Sequence, residues 1–192
     1  MRIISGKFKG HKLNIPKNFL IRPTTDRFKE SLFSIINSEK YSSNINEKYF
    51  LDLCSGSGGI GIEAYSRGAK MVYMIDKCQN SINLINKNLS KLSLNVEIGK
   101  KIFVLKKDIS YIEKLMLPKF DFIYFDPPYS SNIYTTVLKM ISDNEFLKEK
   151  GLVLVETDQL IDINELNLKQ IFKKKIGSSY LQCFKKLLNP LK

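Results

Sequence analysis

Asp126-Pro127-Pro128-Tyr129 closes the apolar run Phe120-Asp121-Phe122-Ile123-Tyr124-Phe125. A run of aromatic and β-branched residues reads as a buried strand, and two consecutive prolines forbid its continuation. The strand therefore ends by presenting an acid, a rigid turn and an aromatic ring at its carboxyl edge, where open α/β sheets bind their ligands. The acid and the prolyl carbonyls accept hydrogen bonds, and the ring offers a stacking face. Together they suit a flat, amine-bearing ring such as a nucleobase. An exocyclic amine is a poor nucleophile, because its lone pair is delocalised into the ring. Hydrogen bonds from its N–H groups to Asp126 and a prolyl carbonyl would aim that lone pair, and Tyr129 would stack on the base.

A second constellation lies upstream. Gly56-Ser57-Gly58-Gly59-Ile60-Gly61 follows the apolar Phe50-Leu51-Asp52-Leu53 and opens a helical stretch. Glycines permit a tight turn and close backbone approach, while a helix start supplies N–H donors. Asp76 ends the next apolar run and could accept both hydroxyls of a ribose. The glycine spacing also fits a dinucleotide. Asp52, Asp76 and Asp108, however, stand in series at the ends of three strands around one loop. That series suits the amino-acid end, ribose and adenine edge of S-adenosylmethionine. The candidate cofactor set is Asp52, Cys54, Gly56, Ser57, Gly58, Gly61, Asp76, Lys77, Asp108 and Ile109, with Thr25 bordering the site. A sulfonium is already activated for methyl transfer, so the chemistry calls for no metal and no covalent nucleophile. His11, the single histidine, is expected at the surface or against RNA.

The elements that must hold these residues alternate along the chain. Strands are expected at 50–53, 69–76, 102–105, 120–125 and 151–156, and then as a pair at 170–176 and 179–186 around Gly177-Ser178. Helices fall between them, through 62–65, over 82–92, briefly from 108 to 116, and over 134–146. This is an α/β fold with a doubly wound, mostly parallel seven-stranded sheet of Rossmann-like type, closed by an antiparallel C-terminal hairpin. Ahead of it, residues 1–36 read as a small basic extension: a hairpin with a glycine turn, then a helix capped by Thr25 with Phe28, Leu32, Ile35 and Ile36 on one stripe. One domain spans 1–192, with 49–192 as its core.

Net charge is +12, from 31 Lys and Arg against 19 Asp and Glu. That surplus favours a polyanionic partner, and the extension is its densest part. Arg2, Lys7, Lys9, Lys12, Arg22 and Arg27 are the candidate RNA contacts. Cys54, Cys78 and Cys183 are scattered and odd in number, the pattern of a reducing compartment. The N-terminus lacks an apolar signal core and no stretch is long enough to span a bilayer, so a cytoplasmic protein without membrane association is expected.

With these motifs in hand, the chain resembles the class I S-adenosylmethionine-dependent methyltransferases, and among them the bacterial 16S rRNA guanine-N2 methyltransferase family. Arg2-Ile3-Ile4-Ser5-Gly6-Lys7 with Gly10 and Leu13, and Arg22-Pro23-Thr24-Thr25-Asp26-Arg27 through Leu32-Phe33, are similar to its opening signature. Leu51-Asp52-Leu53 through Gly61, Glu63-Ala64 and Ser66-Arg67-Gly68-Ala69 are similar to its cofactor motif, and Asp126-Pro127-Pro128-Tyr129 to its catalytic motif. The chain departs at Cys54-Ser55, where the family more often has an aromatic and an alanine, and at Asp76, where a Glu is common. The resemblance implies methylation of a guanine N2 amine in 16S rRNA, within an assembling or assembled 30S subunit; a monomer is expected. An adenine-N6 DNA methyltransferase shares the loop and tetrad, but this chain has no room for a target-recognition domain. A small-molecule methyltransferase leaves the basic extension without a purpose, and a non-catalytic RNA-binding module leaves the loop and tetrad without one.

Overall fold

The computed structural model describes residues 1–15, 24–41, 44–128, 133–164 and 166–187. Its strands are β1 (Tyr49–Leu53), β2 (Met71–Asp76), β3 (Ile102–Lys106), β4 (Phe120–Phe125), β5 (Leu147–Thr157), β6 (Leu168–Ile176) and β7 (Ser179–Lys186). They form one sheet in the order β3-β2-β1-β4-β5-β7-β6. The first five run parallel, while β7 is antiparallel to both β5 and β6. Parallel strands buried on both faces must be apolar at every position rather than at alternate ones. Leu51, Leu53, Ile123, Phe125, Val153 and Val155 accordingly fill one face, and Phe50, Val72, Met74, Phe122, Leu152 and Leu154 the other.

Among the described residues, four α-helices cover the sheet: α1 (Asp26–Ile36), α2 (Gly59–Ser66), α3 (Gln79–Lys91) and α4 (Tyr134–Asp143). The Thr25 hydroxyl caps α1 by accepting from the Phe28 N–H at 3.2 Å. The stripe Phe28, Leu32, Ile35 and Ile36 is buried as its spacing predicts. Helix α4 stops at Asp143, short of the expected 146, because β5 begins at Leu147. The ladder between β4 and β5 steps from Phe120↔Leu147 to Phe122↔Leu152, so the stretch between Leu147 and Leu152 bulges. Gly151 makes the bulge possible: a Cβ there would lie 2.7 Å from the Leu147 side chain.

The basic extension folds back on itself through a single antiparallel bridge, Arg2↔Lys12, rather than a full hairpin. It is held to α2 by buried charge. Glu63, fully buried, accepts from the Ile4 and Ser5 N–H groups at 2.9 and 3.0 Å and from Arg67 Nε at 2.8 Å. Lys29, equally buried, lies 3.6 Å from Glu63 and donates to the Arg2 carbonyl. At Gly6 (φ +81) an added Cβ would fall 1.9 Å from the Ser66 carbonyl oxygen.

Candidate active site

The strand order reverses at β1, which pairs with β2 on one side and β4 on the other. Connections leave such a point in opposite directions, opening a crevice beyond the strand ends. The glycine loop leaves β1 and the Asp126 turn leaves β4, so the two motifs adjoin. The Asp126 N–H lies 3.4 Å from the Leu53 carbonyl oxygen.

The loop is built from unusual backbone and from the acids around it. Cys54, Gly56 and Gly58 all have positive φ, at +60, +54 and +74. A Cβ added at Gly56 would meet only the Cys54 carbonyl oxygen, at 4.0 Å, whereas one at Gly61 would lie 2.6 Å from Met74. Gly56 therefore leaves backbone open to a ligand, while Gly61 brings α2 tightly onto β2. Asp76 accepts from the Gly56 N–H at 2.9 Å and the Cys78 N–H at 2.8 Å, fixing the loop against the end of β2. Asp52 lies within β1, 1% exposed, and accepts from the Gly61 N–H at 2.8 Å. Burial pushes its carboxyl up to about 8, with the Gly61 hydrogen bond opposing and Asp76 reinforcing the shift. Asp108 is exposed beyond β3 and caps a short 3-10 helix (Ile109–Lys114) through the Ser110 N–H at 2.9 Å. That backbone hydrogen bond holds its carboxyl below the usual range. Ile109 is buried and Lys77 exposed beside this group. The Cys54 thiol is pushed up by burial and by Asp76, Asp126 and Asp52, so it stays a thiol.

At the second motif, Pro127 is buried and Pro128 exposed; Tyr129 lies outside the described residues, as does Arg22. The Asp126 carboxyl is held well above the ordinary range, first by removal from water and then by Glu156 and Asp52. Two groups here were not singled out from sequence. The Tyr124 hydroxyl, buried on β4, donates to Glu156 Oε2 on β5 at 2.8 Å. The Tyr134 hydroxyl, at the start of α4, lies 3.2 Å from the Pro127 carbonyl and 3.4 Å from the Glu156 carbonyl. It braces the turn against β5. The signal was period-two alternation: Asp52 pairs with Tyr124 in the β1–β4 register and Tyr124 with Leu154 in β4–β5. Residues two apart share a face, so Asp126 and Glu156 join Asp52 and Tyr124.

Comparison with known proteins gives a family model, described as conserved hypothetical protein 95, that matches residues 1–185. A protein named ribosomal RNA small subunit methyltransferase D from Haemophilus influenzae is 32% identical over 160 residues, covering 83% of this chain and 79% of its own. The protein of the same name from Escherichia coli is 30% identical, covering 82% and 75%. This chain belongs to their family. The solved structure of yhhF from Escherichia coli superposes with a TM-score of 0.82 at 25% identity, over 98% of this chain and 99% of that one.

The family match begins at residue 1 and so includes the extension, whose cations the fold divides. Arg2 pairs with Asp26 at 2.9 Å, and the Lys7 ammonium sits 4.0 Å above the Tyr65 ring. Both remain exposed, as are Lys9, Lys12 and Arg27. Beside them lies an open groove of about 720 Å³ lined by Asn14, Asn83, Asn86, Lys87, Ser90 and Lys91. Asn88, buried beneath it, exchanges hydrogen bonds with the Asn14 backbone at 2.7 and 3.1 Å and donates to the Ser57 carbonyl at 2.9 Å. The basic surface is thereby tied to the glycine loop. Among the described residues, no helix is long and apolar enough to cross a membrane.

Proposed function

We propose that this chain methylates the exocyclic N2 amine of a guanine in small-subunit rRNA, using S-adenosylmethionine, on a base flipped into the pocket at Asp126-Pro127-Pro128. One observation carries the reading: the glycine loop and the Asp126 turn leave adjacent strands, with the Asp126 N–H 3.4 Å from the Leu53 carbonyl. A donor held by the first and an amine held by the second would be neighbours. The names of the relatives supply the rRNA.

The residues fit the cofactor. Gly56 leaves room where a side chain would stand, and Asp76, half-buried at the end of β2, retains acceptor capacity for ribose hydroxyls beyond its two backbone bonds. Asp108, ionised and exposed, suits the adenine edge, with Ile109 as apolar wall. Bound there, S-adenosylmethionine supplies a methyl group on an activated sulfonium. The protein's own work is positioning. Asp126 and the Pro127 carbonyl accept from the amine and orient its lone pair, and well-oriented reactants gain as much as roughly 7–11 kcal/mol. Lys9, Lys12, Arg27, Lys87 and Lys91 would hold phosphates, with a 30S particle presenting the base to a monomer of this chain.

The test is incubation with methyl-labelled S-adenosylmethionine and unmethylated 30S particles, naked rRNA or DNA, followed by digestion and nucleoside analysis. N2-methylguanosine formed only with the ribosomal substrates is expected, and Asp126→Ala should abolish it while cofactor affinity stays within a few-fold. Methyladenine in DNA, or full turnover by the Asp126 variant, would overturn the reading.

A further inference from the structure

The C-terminal hairpin carries charge for which the active site has no use. Between Leu168 and Lys186 the chain has six lysines and no acid. Lys173, Lys174 and Lys175 follow one another on β6, all exposed. Among the described residues, none of the three makes an ion pair. The Lys175 ammonium lies 5.4 Å from the centroid of the half-buried Tyr180 ring on β7. Cations interleaved with aromatic rings are what a nucleic-acid surface is made of. Lysine on an edge strand also hinders pairing with another chain, and β6 is an edge of this sheet. Charge anywhere along β6 would serve that purpose, whereas these three stand in succession near one end.

That end lies level with the Asp126 turn. Phe125 pairs with Val155, Val155 with Gln182 and Gln182 with Lys173, one row across four strands. Two antiparallel steps, β5 to β7 and β7 to β6, restore the direction of β4. Asp126 and Lys174 therefore fall in the next row, and Lys175 one beyond it. Lys174 pairs with Leu181, which belongs to the same core cluster as Tyr124. Since residues two apart share a face, Asp126 and Lys174 lie on the same side of the sheet. Three strand spacings separate β4 from β6, about 14 Å.

We propose that Lys173, Lys174 and Lys175 form a second RNA-binding surface, which holds phosphates of the strand on the β5 side of the pocket. The identity of the polyanion rests on the rRNA-methylation reading. A flipped nucleotide swings about its own backbone, so the phosphates on either side of it must be held while the base turns into the pocket. Lys9, Lys12, Lys87 and Lys91 stand on the other side, on the extension and on α3, which joins β2 to β3. The β6 run supplies the missing grip, and the Asp126 turn lies between the two. The RNA then crosses the carboxyl edge of the sheet rather than following the extension alone.

The test is binding of naked 16S rRNA to the full chain over a range of salt, with Lys173→Glu, Lys174→Glu and Lys175→Glu combined. Charge reversal keeps the edge charged, so its guard against strand pairing survives while its hold on phosphate does not. Binding at low salt should weaken at least tenfold, and the slope of log affinity against log salt should fall by about 2, from three contacts of about 0.7 each. The matching triple Lys→Arg variant should retain wild-type values. On 30S particles the reversal should raise KM at least tenfold, with kcat, cofactor affinity and melting temperature unchanged. Wild-type affinity and slope in the reversal variant overturn the proposal. Weaker binding with an unchanged KM also overturns it, because these lysines would then hold RNA that does not lead to the pocket. If the reversal does not fold, the triple Lys→Gln variant gives the same slope; self-association of that variant with RNA binding intact would reduce the lysines to an edge guard. If the wild-type protein methylates no ribosomal substrate, the methylation reading falls, while the salt slope still decides whether this surface binds RNA.

Discussion

Asp52 and Asp76 both stand at the carboxyl ends of apolar runs, yet the fold uses their carboxyl groups in opposite ways. Asp76 is half-buried and faces the crevice, spending two acceptor positions on the Gly56 and Cys78 N–H groups. Asp52 is sealed inside the sheet against α2, where one N–H, from Gly61, meets it. Burial raises its carboxyl from 3.8 to about 8. The folded protein therefore holds a proton on Asp52 that the unfolded chain releases. Its contribution is complete below the unfolded value of 3.8 and is lost as pH rises through about 8, so it weakens stability across that window. Asp126 is shifted in the same sense. The melting temperature of the free protein should thus fall by several degrees between about pH 5 and pH 8.5, at roughly 2–4 °C per kcal/mol for a domain of this size. Asp52→Asn keeps an oxygen for the Gly61 N–H and should flatten that slope without abolishing it. An identical slope in the variant would mean that Asp52 is ionised in the folded state.

At the scale of elements, the N-terminal signature is a docking device as much as a binding surface. Gly6 is far in sequence from Glu63 and Ser66 yet meets them at the end of α2, where the Lys7 N–H donates to the Ser66 carbonyl at 2.9 Å. A side chain at Gly6 would collide with that same carbonyl. Gly6→Ala should therefore cost about 2 kcal/mol or more of unfolding free energy in urea. It should also make the first dozen residues sensitive to a protease that leaves the wild-type segment intact. Equal stability and equal protection would refute the docking. This division of labour was not legible in the sequence, where Arg2 and Lys7 are simply cations. The Thr25 cap, the α1 stripe and the strands were legible, because each is written in local spacing. The Tyr124–Glu156 contact was not. Alternation assigns Tyr124 a face, but only the non-sequential neighbours β1, β4 and β5 determine what it meets there.

Over the whole molecule, the net charge of +12 is a statement about an encounter, and the fold narrows where it acts. Arg2, still exposed, and the buried Lys29 are paired with Asp26 and Glu63, and partial loss of water lowers the proton affinity of the exposed Lys7 above the Tyr65 ring. Lys9 and Lys12 remain on the extension, and across Asn14 they continue into Lys87 and Lys91 on α3, a helix whose thirteen residues contain no acid. A strand of RNA laid along this path would exchange its counterions for these four ammonium groups. Each contact of that kind contributes about 0.7 to the slope of log affinity against log salt for a single strand. Replacing Lys9, Lys12, Lys87 and Lys91 with alanine should weaken RNA binding at low salt and flatten that slope by roughly 2–3. The rate at saturating RNA should stay at the wild-type value, because none of the four touches the loop or the Asp126 turn. A wild-type slope in the quadruple variant would move the RNA path to another face. A slope reduced only by the extension pair would confine it to residues 9–12 and leave the α3 groove outside the interface.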